Sequence, residues 1–184
     1  MYLNIVNRII FFHVPKNAGT TIRDLFEKRF GRGVIMTKAF DTSHITPSHL
    51  KILFGIDLST YNLYMIARNP YDSELSYYYY MKKSPHHRYH KQLVDKSFRE
   101  YLEWRVENAG VSQQDYYCEN IKVFQLEQIH LFHDHFKFKE VRMRNSTGPR
   151  KVKVYDERCA NIVYKMRRRD FDTFKYSKDS WSQY

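Results

Sequence analysis

The segment from Arg8 to Thr21 constrains the fold more than any other part of the chain. It begins with the short apolar run Ile9-Ile10-Phe11-Phe12-His13-Val14 and continues as Pro15-Lys16-Asn17-Ala18-Gly19. Thr20 and Thr21 then open the amphipathic stretch Ile22-Arg23-Asp24-Leu25-Phe26. A buried strand, a tight loop with one lysine, and a helix follow one another in that order. A helix N-terminus presents unpaired N–H groups and a partial positive charge, which suits a phosphate-like anion. Lys16 adds a full charge beside it, and Gly19 lets the backbone come close. The chain is therefore expected to hold an anion at the end of its first helix.

The remaining pattern alternates in the same way. Thr20–Phe30 reads as a helix with Ile22, Leu25, Phe26 and Phe30 on one side, ended by Gly31 and Gly33. Pro47 opens a short helix to Phe54, with Gly55 as its stop. Tyr61–Ala67 reads as a second strand, followed by Asn69-Pro70 and a helix to about Met81. Lys82–Lys96 is polar and His-rich and reads as a loop, and Ser97 caps a helix to Asn108. Val123–Leu126 is a third strand candidate, Glu127–Phe136 a helix, and Asp156 to about Arg169 the last helix. Strands alternating with helices predict an α/β fold, a single three-layer domain over residues 1–184 around a central, mainly parallel sheet. In such folds ligands bind beyond the carboxyl ends of strands, where the lysine loop falls.

Charge narrows the partners. With 31 Lys and Arg against 20 Asp and Glu, the chain carries a formal net charge of +11, which favours anionic partners. Much of the excess lies between Lys137 and Arg169. Cys118 and Cys159 read as free thiols in a chain without secretory features. No apolar run approaches the length of a membrane span and no signal-peptide pattern is present, so a soluble cytoplasmic protein is expected.

The loop does not follow the Walker A order, which argues against nucleotide triphosphate hydrolysis. That motif places its lysine at the far end, after the second glycine, whereas Lys16 precedes Gly19. A second candidate loop follows the second strand, in Tyr64-Met65-Ile66-Ala67-Arg68-Asn69-Pro70-Tyr71-Asp72, with Ser76 beyond it. The forked guanidinium of Arg68 can grip a phosphate bidentately. Two anion loops after two strands imply a ligand with two anionic ends.

Together these loops resemble those of sulfotransferases that use 3′-phosphoadenosine 5′-phosphosulfate (PAPS). Pro15-Lys16-Asn17-Ala18-Gly19-Thr20-Thr21 is similar to their 5′-phosphosulfate loop. Arg68-Asn69-Pro70-Tyr71-Asp72 with Ser76 is similar to their 3′-phosphate loop. The resemblance is closest to the carbohydrate enzymes of the heparan 2-O, chondroitin and HNK-1 types. It extends to His44, Gln113-Gln114, Val123–Glu127 and Asp170-Phe171. It implies a P-loop-like sulfotransferase fold, with PAPS as co-substrate and 3′-phosphoadenosine 5′-phosphate as product. The implied acceptor is a free hydroxyl, on a glycan that is acidic if the basic surface serves it.

By the same resemblance Lys16 stabilises the leaving phosphate, and Pro15 through Thr21 wrap the phosphosulfate. Arg68 and Ser76 hold the 3′-phosphate, and Arg150 and Lys151 lie in a late loop that closes over the nucleotide. That late loop departs from the cytosolic enzymes' Arg-Lys-Gly triplet, since residue 152 is Val. His44 matches the histidine that acts as general base in the 2-O type, a task imidazole suits near neutral pH. A structural or exposed histidine is the alternative reading. His49, Asp24 and Glu27 are rival bases.

Other features read as structural. His13 beside Pro15 is expected to support the loop rather than do chemistry. His86, His87 and His90, and the His130, His133, His135 set, lack acidic or cysteine companions, so no metal is expected. Tyr77–Tyr80 cannot share one helical face, and some of these rings belong to the core. Arg167-Arg168-Arg169 reads as solvated surface, with a polyanionic acceptor as the alternative. Three other functions stay open: a nucleic-acid binder, which the paired loops do not call for; a P-loop phosphotransferase; and a non-catalytic PAPS or nucleotide binder.

Overall fold

The computed structural model describes residues 1–34, 42–139 and 153–184. A four-stranded sheet carries the lysine loop that follows its second strand. Its strands are β1 (Tyr2–Asn4), β2 (Ile9–Phe12), β3 (Asn62–Ala67) and β4 (Ile121–Gln125), in spatial order β1-β2-β3-β4. β1 pairs antiparallel with β2, while β2–β3 and β3–β4 are parallel. The fold is thus α/β with a mixed sheet. The antiparallel strand β1 is an addition to the sequence reading.

The described residues group into two compact units. The first comprises those of Met1–Arg68 and Asp115–Asn145. It holds the sheet, α1 (Gly19–Phe30), α2 (Pro47–Phe54) and a later helix, Ile129–Phe136. The α1 residues Ile22, Leu25 and Phe26 are buried with Ile9, Phe11, Ile66 and Phe132. Phe26 is the hub: its ring centroid lies 5.3 Å from that of Tyr2, 5.6 Å from Phe11 and 4.9 Å from Phe136. Such ring pairs add to the burial of their area. α1 stops at Gly31, whose φ of 84° is open to glycine without strain.

The second unit comprises the described residues of Asn69–Gln114 and Ser146–Tyr184 and is helical. It holds α3 (Pro70–Lys83), α4 (His90–Leu93) and α5 (Phe98–Glu107). The Ile129–Phe136 helix of the first unit is α6, and α7 (Glu157–Met166) and α8 (Arg168–Phe174) complete the second. α4 interrupts a stretch expected to be loop. α5 begins on the expected Ser97, in a reciprocal capping box with Glu100.

The last helix of the sequence reading is two helices broken at Arg167. A buried charge sits at the break. Glu74 on α3 accepts from Nε of Arg105 at 3.1 Å and from Nε of Arg167 at 2.9 Å. Arg167 is therefore core rather than solvated surface, whereas its neighbour Arg168 is exposed and pairs with Asp172. Burial alone would raise the Glu74 carboxyl, but the two guanidiniums outweigh it and hold the group at about 2. Tyr101 donates to the same carboxylate at 2.9 Å. Of the tyrosine run, Tyr78 is buried, Tyr77 and Tyr79 are half-buried and Tyr80 is exposed.

Among the described residues, no helix is long and apolar enough to cross a membrane.

Candidate functional site

β2 ends at Phe12, and the chain then turns sharply enough to put two non-glycine residues in the left-handed region, Lys16 at φ 66° and Ala18 at φ 59°. Left-handed backbone is unfavourable for residues with a Cβ and persists only where neighbouring structure enforces it. Two tie points do so here. The buried Asn17 side chain donates from Nδ2 to the Ile66 carbonyl of β3 at 2.8 Å. Arg68, just past the end of β3, donates from Nη1 to the Lys16 carbonyl at 2.5 Å. Parallel pairing of β2 with β3 brings both strand ends to the same edge of the sheet. Lys16 and Arg68, 52 residues apart in sequence, thus meet in one place.

α1 starts within this turn. Its N-cap is Ala18, which has no side-chain acceptor to offer, and its first turn contains no acidic residue. Ala18 thus gives the first amides of α1 no side-chain cap, and the first turn itself carries no negative charge. Electrostatics follows from this crowding of positive groups. Burial, and then the neighbouring Arg68 guanidinium, push the Lys16 ammonium down from 10.5 to about 8. An anion placed against these groups relieves that cost. The donor set of one ammonium, one guanidinium and helix amides matches the oxygens of a phosphate or a phosphosulfate.

Gly19, the first residue of α1, is required for another reason than nearness to a ligand. A Cβ built there would lie 1.7 Å from Cδ2 of His13. His13 is buried, with its ring against the start of the helix. Thr21 is buried, and Pro15 and Thr20 are half-buried.

His44 comes to the same strand end from the turn Thr42–His44. Its ring lies 4.5 Å from the His13 ring, and its Nδ1 is 2.8 Å from the His13 carbonyl oxygen. The carbonyl of His44 in turn accepts from the buried Tyr116 hydroxyl at 2.7 Å. His44 is exposed. Of the rivals, His49 sits on α2 with Nδ1 2.7 Å from Oγ1 of Thr46, the residue that caps that helix. Asp24 and Glu27 are on α1, where Glu27 pairs loosely with Arg23 at 3.9 Å.

Lys16, Asn17, Gly19, Arg68, His13 and His44 are therefore one cluster of the first unit. Tyr116 belongs to it and was not singled out by the sequence, since one of two adjacent tyrosines in a polar stretch carries no local signal. Ser76 lies buried on α3, in the second unit. Arg150 and Lys151 lie outside the described residues. In the second unit, two further stretches that carry the resemblance meet: the Asp170 carboxylate accepts from the amides of Gln113 at 3.4 Å and Gln114 at 2.8 Å. Among the described residues, no group of three or more His, Cys, Asp or Glu is placed to hold a metal ion. Comparison with family models, curated proteins and solved structures returns no match for this chain.

Proposed function

We propose that this protein is a PAPS-dependent sulfotransferase that moves a sulfuryl group to an acceptor hydroxyl, on a carbohydrate. The observation that carries the reading is the convergence of Lys16 and Arg68 on one cross-tied turn at the uncapped start of α1. In this reading Lys16 and the first amides of α1 bind the 5′-phosphosulfate. The acceptor oxygen forms its bond to sulfur as the sulfur–oxygen bond to the 5′-phosphate breaks. Negative charge then gathers on the departing phosphate, and Lys16 is placed to stabilise it, as preorganised donors do in related phosphoryl transfers. The acceptor's proton passes to His44. The 3′-phosphate roles of Arg68, which also ties the Lys16 turn, and of Ser76 rest on the resemblance alone.

Thermal unfolding in the presence of 3′-phosphoadenosine 5′-phosphate, ATP or an oligonucleotide tests the reading. A ligand that binds only the folded state raises apparent stability. The bisphosphate is expected to stabilise the protein more than ATP does. No shift with it, or an equal shift with ATP, overturns the proposal. Transfer of labelled sulfate to a glycan panel then separates an enzyme from a non-catalytic binder.

A further inference from the structure

The hydrogen bond from His44 to the His13 carbonyl fixes more than a position. A carbonyl oxygen has only lone pairs to offer, so a 2.8 Å contact with Nδ1 requires the proton to sit on Nδ1. In the neutral ring the lone pair is then on Nε2, the nitrogen at the far side of the imidazole. After the ring takes a second proton, the Nδ1–H bond to the carbonyl persists and stabilises the cation, as an orienting acceptor does for other histidine bases. Two features hold the partners of this bond. The buried Tyr116 hydroxyl donates to the main-chain carbonyl of His44 at 2.7 Å and so anchors the turn that carries the ring. His13 is fixed on its other side by Gly19, since its ring fills the space a Cβ there would need.

We propose that Tyr116 and the main chain of His13 are positioning groups for the base, holding His44 as its Nδ1–H tautomer with Nε2 as the proton acceptor. The proposal rests on reading His44 as the base of sulfuryl transfer. It adds a link between the two halves of the chemistry. His13 touches both the first residue of the anion-binding helix and the base, so one residue sets where the leaving group's donors and the proton acceptor stand.

The test is ¹⁵N NMR of histidine-labelled protein without nucleotide, at a pH where His44 is neutral, with its signals assigned by their loss in His44→Gln. A pyrrole-type Nδ1 and a pyridine-type Nε2 are expected. Signals of the opposite tautomer, or of a tautomer average, overturn the proposal. Tyr116→Phe is expected to move the signals toward the average and to lower kcat by about 10-fold or more, with KM for PAPS within about 2-fold. A merely structural hydroxyl would leave the tautomer unchanged, and unchanged spectrum and kcat in a folded Tyr116→Phe overturn its role. Should that variant not fold, the wild-type spectrum alone decides. Because the spectrum is read without nucleotide, a wrong tautomer counts against the positioning only. Absent stabilisation by the bisphosphate counts against the cofactor reading only.

Discussion

Each unit of this protein gathers two cationic side chains, and the two pairs are treated differently. In the helical unit Arg105 and Arg167 converge on Glu74, a carboxylate supplied by the fold itself, and all three are buried. In the sheet unit Lys16 and Arg68 converge on each other, and the depressed Lys16 has burial and a second cation as its causes. The first arrangement neutralises charge in place and keeps the fold together. The second brings two positive groups close together where β2 and β3 end, and the depressed Lys16 reflects that. The buried charges of the helical unit are answered by the fold itself, whereas the half-buried Lys16 and Arg68 stand beside like charge, the arrangement the proposed function draws on.

Breaking the internal pairing should have the largest effect. Glu74→Ala leaves two buried guanidiniums without their carboxylate and is expected to cost about 3–5 kcal/mol in urea unfolding. Replacing all three with Glu74→Met, Arg105→Leu and Arg167→Met should recover most of that loss. A cost below about 1 kcal/mol for Glu74→Ala would show that the triad is not structural. The acid limb follows from the sign of the shift. The Glu74 carboxyl is lower in the folded state than the 4.5 of an unperturbed glutamate, so its contribution is present above about 4.5 and fades as pH falls toward 2.

The sheet unit should respond in the opposite sense. Lys16→Met is expected to lower turnover by about 10²–10³, the usual loss for one donor to a developing charge. The same substitution should stabilise the protein without ligand at pH 7, by about 1 kcal/mol after allowance for solvent screening. A variant that loses both activity and stability would erase the distinction between the two pairs. Gly19→Ala is expected to cost about 1–3 kcal/mol by driving a methyl into the His13 ring, and His13→Ala should relieve it. The smallest effect is a pH dependence. Folded Lys16 loses its proton near 8 and the unfolded lysine near 10.5, so stability through this group rises with pH across that window. The advantage of Lys16→Met over wild type should shrink over the same range, as read by melts at matched ionic strength.

The sequence showed what local chemistry determines. The loop after β2, the Pro47 and Ser97 helix starts and the Gly31 and Gly55 stops all follow from residues within one turn of the feature they create. β1 was invisible because three residues are too few for a period to register. The burial of Arg167 was invisible because its partner is a carboxylate 93 residues away, and three successive arginines look alike to any local reading. The site divides in the same manner. Lys16, Gly19 and Arg68 stood out by type and spacing and His44 by its resemblance to a family histidine, whereas the Tyr116 hydroxyl donates to a carbonyl 72 residues away. The tyrosines of the helical core follow the same logic. Tyr71 and Tyr155 each donate to a distant main-chain carbonyl, at 2.6 Å and 2.7 Å, and no pattern in sequence announces such partners.

The Glu74 cluster also sets an order of events during synthesis. Arg105 follows the glutamate by 31 residues, but Arg167 emerges 93 residues after it. Until then the carboxylate can be matched by one guanidinium only, and enclosing it early would bury an incompletely compensated ion. The helical unit is built from two stretches of chain separated by part of the sheet unit. Its closure is therefore deferred until the later stretch has left the ribosome, and a nascent chain stalled before Arg167 is expected to keep the earlier helices open to protease.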